Sequence, residues 1–272
     1  MNAYGVLVPK TIRRKPRLLM ESLVFDLKRK RLDFVKCANY APCETLFLYG
    51  WGGSVQQEAI AQHQGHYVAF DLGYWQREGQ IKRKWRVSID GFHCPQLIMK
   101  GRHPGGQRWE RQRWPIPRSG GNPDGPVLIV GSGPKSQRVG AMDWSKKASL
   151  KVSQRFPDKE VWYKPKPMRT SERGVRFHKE VTGEIEPILK QVSLVVCRHS
   201  NVAVDAARAG VPATCEDGAA ASIYPTLENF EDQPDYETRV EFLQRLAWWQ
   251  WTMQEVRNGD FWPWIDGQLR SL

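Results

Sequence analysis

The sequence predicts an α/β fold in which parallel βαβ units form two Rossmann-like halves. Short runs of valine, leucine and isoleucine alternate with segments whose apolar residues recur at helical spacing. This alternation is typical of parallel strands that are covered by helices. The turn-rich stretch SGGNPDGP at 119–126 indicates a boundary between the halves. A chain of 272 residues is long enough for two such domains.

The individual elements follow from the same patterns. In the first half we expect strands at AYGVLVP, TLFLYG, HYVAFDLG and KWRVSI, and helices at RLLMESLVFDLKRKRL and after the glycine turn GWGG. In the second half we expect strands at VLIVG, VWYKPKP, SLVVC and PATCE, and helices at MDWSKKASLKVSQRF, EIEPILKQV and NVAVDAARA. The pattern of residues 236–259 predicts one long terminal helix. The tryptophans within this helix and after it are expected in the core.

The charge of the chain predicts an anionic partner. The formal net charge is +12, and basic residues cluster at 11–17, 28–31 and 100–118. Such clusters are typical of proteins that meet nucleic acid, an anionic membrane face or phosphorylated substrates. Solvated basic faces without a partner are the alternative.

Composition also indicates the compartment. No run of eighteen apolar residues occurs, so no stable membrane insertion is expected. The five cysteines are scattered, which favours reduced intracellular thiols over a disulfide framework or a zinc site. Charges stand where a signal peptide would need its apolar stretch. We therefore expect a cytoplasmic protein, in the cytoplasm of a host if it is viral. The oligomeric state stays open.

Residues 195–213, VVCRHSNVAVDAARAGVPA, predict a phosphate site. A buried strand delivers Arg198, His199, Ser200 and Asn201 to the start of a helix, where unpaired amides and the positive end of the helix dipole favour an anion. With Ser200 as N-cap, the amides of residues 201–203 would be available to a diphosphate. An ordinary capped turn is the alternative.

A second phosphate loop is expected after the strand VLIVG. Its residues are Gly131, Ser132, Gly133, Lys135 and Ser136. A Walker A loop is excluded because proline at 134 precedes the lysine and removes an amide donor. A tight βα turn is the competing interpretation.

The stretch VRFHKEVTGEIEPILKQVSLVVCRHSNVAVDAARAGVPATCEDGAAAS, at 175–222, resembles the nucleotide-sugar half of GT-B glycosyltransferases, including the peptidoglycan N-acetylglucosaminyltransferase type. It is also similar to small glycosyltransferase-like proteins of bacteriophages. The shared pattern is a strand ending in a small polar turn, then a helix with an acidic residue and a terminal Gly-x-Pro.

This resemblance implies two Rossmann-like domains that face a cleft. Residues 1–120 would form the acceptor-side domain and 121–235 the nucleotide-sugar-binding domain. Residues 236–272 would form a C-terminal helix and a Trp-rich tail that pack back across the domains, on the N-terminal one. The implied enzyme is a metal-independent glycosyltransferase without a cofactor, whose donor substrate is expected to be a uridine diphosphate sugar.

The resemblance also implies roles for single residues. Asp205 occupies the acidic position that binds the donor ribose, where the family usually has glutamate. His178, Asp217 and Gly218 are expected in the same nucleotide-sugar site. The glycine turn after TLFLY would lie against the acceptor, because such a turn allows close approach to the backbone. Its residues are Gly50, Trp51, Gly52 and Gly53.

A transfer with inversion needs a base for the acceptor hydroxyl. Asp71, near the end of a predicted strand, is the first candidate, and Asp90 and His93 are the reserves. Each of the three could instead be structural.

The acceptor is expected to be a hydroxymethylated pyrimidine in DNA, because that group offers a hydroxyl on a polyanion. A basic stretch with interleaved rings would contact the nucleic acid. Its residues are Arg108, Trp109, Arg111, Arg113 and Trp114. Two alternatives stay open: an envelope glycosyltransferase that acts on a glycan or lipid, and a non-catalytic nucleic-acid-binding protein of the same fold.

Overall fold

A computed structural model describes residues 2–76, 83–133, 143–166 and 174–272. The chain divides into two compact units, one formed by Met1–Cys94 with Trp248–Leu272 and the other by Pro95–Ala247. The boundaries expected at residues 120 and 235 are not the boundaries of these units. Residues 95–120 belong to the second unit, where short helices in this segment pack on a 3-10 turn at 219–222 and on a helix at 236–246.

The first unit is built around a six-stranded sheet with the order β11-β5-β4-β3-β1-β2. Strands β1 to β4 are parallel, whereas β5 runs antiparallel to β4 and β11 antiparallel to β5. Chain order reverses between β1 and β3, which makes their carboxyl ends the switch point of this sheet. The elements are β1 (Asn2–Leu7), α1 (Arg14–Arg29), β2 (Phe34–Cys37), β3 (Cys43–Tyr49), α2 (Ser54–Gln62), β4 (His66–Leu72), β5 (Lys84–Ile89), β11 (Gln250–Thr252), α9 (Met253–Asn258) and α10 (Trp262–Leu269).

The second unit contains a parallel five-stranded sheet with the order β10-β9-β6-β7-β8. Here chain order reverses between β6 and β9. The apolar strands are buried on both faces, which explains their continuous valine and leucine runs. The elements are α3 (Pro95–Ile98), α4 (Gln107–Glu110), β6 (Val127–Val130), α5 (Trp144–Arg155), β7 (Val161–Lys164), β8 (Lys179–Glu180), α6 (Ile185–Leu189), β9 (Leu194–Cys197), α7 (Val202–Ala209), β10 (Ala213–Cys215) and α8 (Tyr236–Leu246).

The expected α/β class with two Rossmann-like halves is therefore confirmed, although the first sheet is mixed and only the second is wholly parallel. The single long helix expected at 236–259 is wrong. Helix α8 ends at Leu246, a 3-10 turn follows, and Gln250–Thr252 pairs with β5 as a strand. A new helix then starts from a capping box in which Thr252 and Glu255 bond each other's backbone amides.

The tryptophans of this C-terminal segment pack in the core of the first unit, as expected. Trp249 and Trp251 are fully buried, and the indole nitrogen of Trp262 donates to Oδ2 of the buried Asp26 at 2.6 Å. No described helix is both long enough and apolar enough to cross a membrane.

Candidate functional site

A small cleft lies at the switch point of the second unit. Its walls come from the loops that follow β6, β7 and β9, where parallel strands present their carboxyl ends. Five residues expected in the donor site line this cleft, namely Gly131, Ser132, Arg198, His199 and Ser200. Lys166 adds a cation that was not predicted from the sequence. The lining residues are Val130, Gly131, Ser132, Lys166, Arg198, His199 and Ser200.

Two glycines allow these loops to approach their neighbours. A Cβ on Gly131 would lie 2.4 Å from the hydroxyl oxygen of Tyr163, which is buried beneath the cleft. A Cβ on Gly218 would lie 2.8 Å from Cα of His199 and 2.9 Å from Sγ of Cys215. Both distances are well below an ordinary van der Waals contact. The absence of a side chain at these positions therefore sets the shape of the cleft.

Asp217 contacts both Arg198 and His199, the two residues that follow β9. Its Oδ2 accepts from Nε of Arg198 at 2.8 Å, and its Oδ1 lies 3.1 Å from Nδ1 of the buried His199. Burial by itself would raise the pKa of Asp217, but the hydrogen bond from His199 and the charges of His199 and Arg198 hold that pKa below its ordinary value. The carboxylate thus orients both groups beside the cleft.

Burial also contributes to the pKa shifts of two further side chains in the second unit, Lys164 and Cys215. Burial lowers the pKa of Lys164, at the end of β7, and its Nζ donates to the carbonyl of Gly183 at 2.6 Å. The pKa of the Cys215 thiol lies well above its ordinary value, first because of a hydrogen bond with Cys197 and then because of burial. The Cys215 thiol is therefore a poor nucleophile.

The start of α7 differs from the expectation. The hydroxyl of Ser200 accepts from the amide of Val202 at 3.3 Å, and the amide of Ala203 donates to the Ser200 carbonyl at 3.2 Å. Two of the three amides expected to bind a diphosphate are therefore already engaged. Charged side chains, rather than a row of helix amides, dominate this cleft.

The remaining donor-site predictions fall in different places. Asp205 lies in the first turn of α7 with a buried side chain, and its ribose role stays a prediction. His178 is wrong as a member of this site: its Nδ1 accepts from the amide of Val161, the first residue of β7, at 2.9 Å. It therefore lies at the amino end of β7, roughly 10 Å along the strand from the carboxyl end, where the cleft is. Lys135 and Ser136 lie outside the described residues.

In the first unit, the glycine turn follows β3 as expected. Gly50 has a left-handed φ of 73°, and its amide donates to the carbonyl of Phe70 on β4 at 2.7 Å. The indole nitrogen of Trp51 donates to the hydroxyl of Tyr67 at 3.0 Å, and the Trp51 ring lies 6.1 Å from that of Phe92. Gly52 and Gly53 follow Trp51 in the same turn, and Gly53 directly precedes α2, which starts at Ser54.

Two of the proposed bases meet around a buried arginine. Asp71 and Arg86 are direct partners across β4 and β5, with Oδ2 and Nη2 3.3 Å apart. Nη1 of Arg86 lies 2.9 Å from Nε2 of His93, and the guanidinium stacks on the Phe92 ring at 4.6 Å. The Asp71 side chain keeps 16% of its surface exposed, whereas His93 is buried. Asp71 can reach a substrate, and His93 can only position Arg86.

Asp90 is separated from this cluster. Its Oδ2 lies 2.6 Å from Nδ1 of His66 and its Oδ1 accepts from the amide of Tyr67 at 2.8 Å. Both partners begin β4, so Asp90 lies at the opposite edge of the sheet from Asp71. Because β5 runs antiparallel to β4, Asp90 does not lie beside Asp71, and its role as a reserve base stays a prediction.

The proposed nucleic-acid stretch is partly structural. Trp109 is only 5% exposed, and Nε of the buried Arg108 donates to the carbonyl of Ala247 at 3.1 Å. Neither can offer a ring face or a charge to nucleic acid. Arg111 and Arg113 are exposed, and Trp114 is half-buried. The guanidinium of Arg208 covers the Trp114 ring at 4.9 Å.

Among the described residues, no group of three His, Cys, Asp or Glu side chains could hold a metal ion.

Comparison with known proteins identifies the fold. The chain is similar to the β-Kdo 2,4-transferase of KpsC from Thermosulfurimonas dismutans, with 13% identity, a TM-score of 0.51, and coverage of 94% of this chain and 97% of that one. It is also similar to the β-Kdo 2,7-transferase of KpsC from the same organism, with 14% identity, a TM-score of 0.53, and coverage of 96% and 99%. No protein-family model and no curated protein sequence matches the chain.

The fold class is thus that of GT-B glycosyltransferases, which agrees with the resemblance drawn from residues 175–222. At this level of identity the similarity defines the fold. The resemblance to bacteriophage proteins stays a prediction.

Proposed function

We propose that the protein is a glycosyltransferase that moves a sugar from a nucleotide-activated donor to a hydroxyl group of a glycan. The proposal rests on the cleft at the switch point of the second unit, where the cations of Lys166 and Arg198 and the imidazole of His199 lie around the turn at Gly131. Ligands of open α/β sheets bind at the carboxyl ends of strands at such points. The GT-B fold supports the same assignment.

In this proposal the cleft binds the donor phosphates. Arg198 is the strongest candidate, because a guanidinium binds phosphate oxygens through paired hydrogen bonds and Asp217 orients it through Nε. When the bond between the anomeric carbon and the phosphate oxygen breaks, the electron pair stays on the phosphate. Fixed cations at that position stabilise the departing charge. Asp205 would bind the ribose from the start of α7.

The first unit would bind the acceptor. Trp51 and Phe92 form a partly exposed aromatic pair, as suits a sugar ring. The Phe92 ring contacts the guanidinium of Arg86, the partner of Asp71. In a transfer with inversion, Asp71 takes the proton as the acceptor oxygen attacks the anomeric carbon. Arg86, held by His93, orients the carboxylate and is a positioning residue.

We favour a glycan over DNA as the acceptor. Burial of Trp109 and Arg108 removes two of the five side chains on which the DNA hypothesis depended. The similar KpsC structures are Kdo transferases, which supports a sugar acceptor over a pyrimidine. A uridine diphosphate sugar stays the first donor to test.

The test is to incubate the protein with a panel of nucleotide sugars and with glycans, hydroxymethylated DNA or ordinary DNA, and to identify products by mass spectrometry. We expect sugar transfer to a glycan, reduced about tenfold to a hundredfold in kcat/KM by Arg198→Ala. Arg155→Ala, at an exposed ion pair with Glu231 in the same unit, is the matched control and should act like the parent. Transfer to hydroxymethylated DNA would restore the DNA acceptor. DNA binding without turnover on any donor would contradict the enzyme assignment.

A further inference from the structure

Helix α1 exposes two large apolar side chains on its outer face. Leu18 is 46% exposed and Phe25 is 47% exposed. They lie seven residues apart, about two helical turns, and therefore on the same face. The apolar residues that pack this helix onto the sheet are buried on the other face, namely Leu19, Met20, Leu23, Val24 and Leu27.

Basic side chains surround this pair. Residues 10–36 contain 10 Lys or Arg and 3 Asp or Glu, so this segment carries +7 of the formal net charge of +12. One of the acids, Asp26, is buried and bonded to Trp262, Arg29 and Lys30 inside the unit. The guanidinium of Arg257 lies 4.5 Å from the Phe25 ring and adds another cation at the same surface. The exposed basic residues of α1 are Arg14, Lys15, Arg17, Lys28 and Arg29.

We propose that this face of α1 docks the protein on an anionic phospholipid bilayer, with the helix parallel to the membrane plane. Cations at the rim are attracted to lipid phosphates, and Leu18 and Phe25 enter the boundary between headgroups and acyl chains. A polyanion such as DNA would use the cations equally well, but it offers nothing to the two apolar side chains. The two side chains lie between the basic residues at the two ends of α1, and Glu21, which lies between them on the same face, is paired with Lys36. This arrangement favours a lipid surface.

Vesicle sedimentation tests this proposal without any reference to catalysis. The probes are vesicles of phosphatidylcholine alone and vesicles that also contain phosphatidylglycerol. We expect binding to the anionic vesicles at least about tenfold stronger than to the neutral ones. The variant Arg14→Gln/Lys15→Gln/Lys28→Gln should weaken it about a hundredfold. The variant Leu18→Ser/Phe25→Ser should weaken it roughly thirtyfold, because the apolar area no longer leaves water on binding.

A matched control is available in the second unit. Leu150 is 41% exposed, so Leu150→Ser removes a comparable exposed apolar side chain elsewhere and should bind vesicles like the parent. All three variants alter exposed side chains, and unchanged melting temperatures would verify that they fold. The proposal is overturned by equal binding to both vesicle types, or by full binding of Leu18→Ser/Phe25→Ser. It is also overturned if duplex DNA binds tightly and anionic vesicles do not.

Discussion

Replacing Gly218 by alanine probes how closely the loop after β10 lies on the cationic groups of the cleft. The added Cβ would lie 2.8 Å from Cα and 3.1 Å from the carbonyl carbon of His199. Ordinary carbon contacts are about 3.5–4.0 Å, so the His199 backbone must move by roughly 0.7 Å. Overpacking of this kind typically costs about 1–3 kcal/mol.

Two readouts follow from that displacement. The melting temperature should fall by roughly 2–4 °C for each kcal/mol lost. Affinity for the nucleotide should fall about tenfold, because Arg198 and His199 move with the loop. Calorimetric titration and thermal unfolding would measure the two effects on the same protein sample.

Gly133→Ala is the matched control, because its added Cβ would lie 3.6 Å from Cγ of Lys166, which is an ordinary van der Waals contact. We expect the control to change the free energy of unfolding by less than about 0.5 kcal/mol. Gly218→Ala with unchanged stability and unchanged nucleotide affinity would refute the close approach and its role in shaping the site.

Three further predictions follow from other contacts. Asp71→Asn should lower turnover about a hundredfold in steady-state kinetics while donor affinity stays the same. Arg86→Ala should also lose turnover, and Arg86→Lys should restore part of that loss. Near-normal turnover of Asp71→Asn would remove Asp71 from the mechanism. Because the pKa of Asp217 is lowered on folding, its stabilisation is present above pH about 4 and lost as the pH falls from there through the folded pKa. Acid unfolding of Asp217→Asn should therefore show a shallower pH dependence than the parent, and identical curves would contradict the shift. Trp262→Phe should destabilise the first unit by about 1–3 kcal/mol in thermal unfolding, because it leaves an oxygen of the buried Asp26 without its indole donor; an unchanged melting temperature would refute that role.

The parts of the fold that depend on local pattern could be predicted from the sequence. The valine run of β9, the alanine-rich α7 and its end at Gly210, whose φ is 73°, all carry their signals within a few residues. The structure places Arg198 and His199 of the same stretch in one cleft, and their role in donor binding stays a prediction. The carboxyl ends of parallel strands lie along one edge of a sheet, so the order of strands and helices was sufficient to predict that these residues lie at that edge.

The parts that depend on long-range pairing were missed. Gln250–Thr252 has a sequence that suits a helix, and only its pairing with β5 makes it a strand. The T-x-x-E pattern from Thr252 to Glu255 was the available signal for the helix start. Arg86 could have been suspected as a charged residue inside the apolar run KWRVSI, but its partner Asp71 depends on an antiparallel register. The position of His178 at the amino end of β7 likewise depends on a long-range contact, the hydrogen bond from the amide of Val161.

Calorimetric titration of nucleotides, beginning with uridine diphosphate, tests the central claim most directly. The parent should bind a nucleotide, and Arg155→Ala should bind it within about twofold of the parent, because surface ion pairs contribute little. Arg198→Ala should lose about tenfold to a hundredfold in affinity, the usual scale for a hydrogen bond to a charged group. Equal affinity of Arg198→Ala and the parent would contradict the assignment of the cleft at the β6–β9 switch point as the donor site.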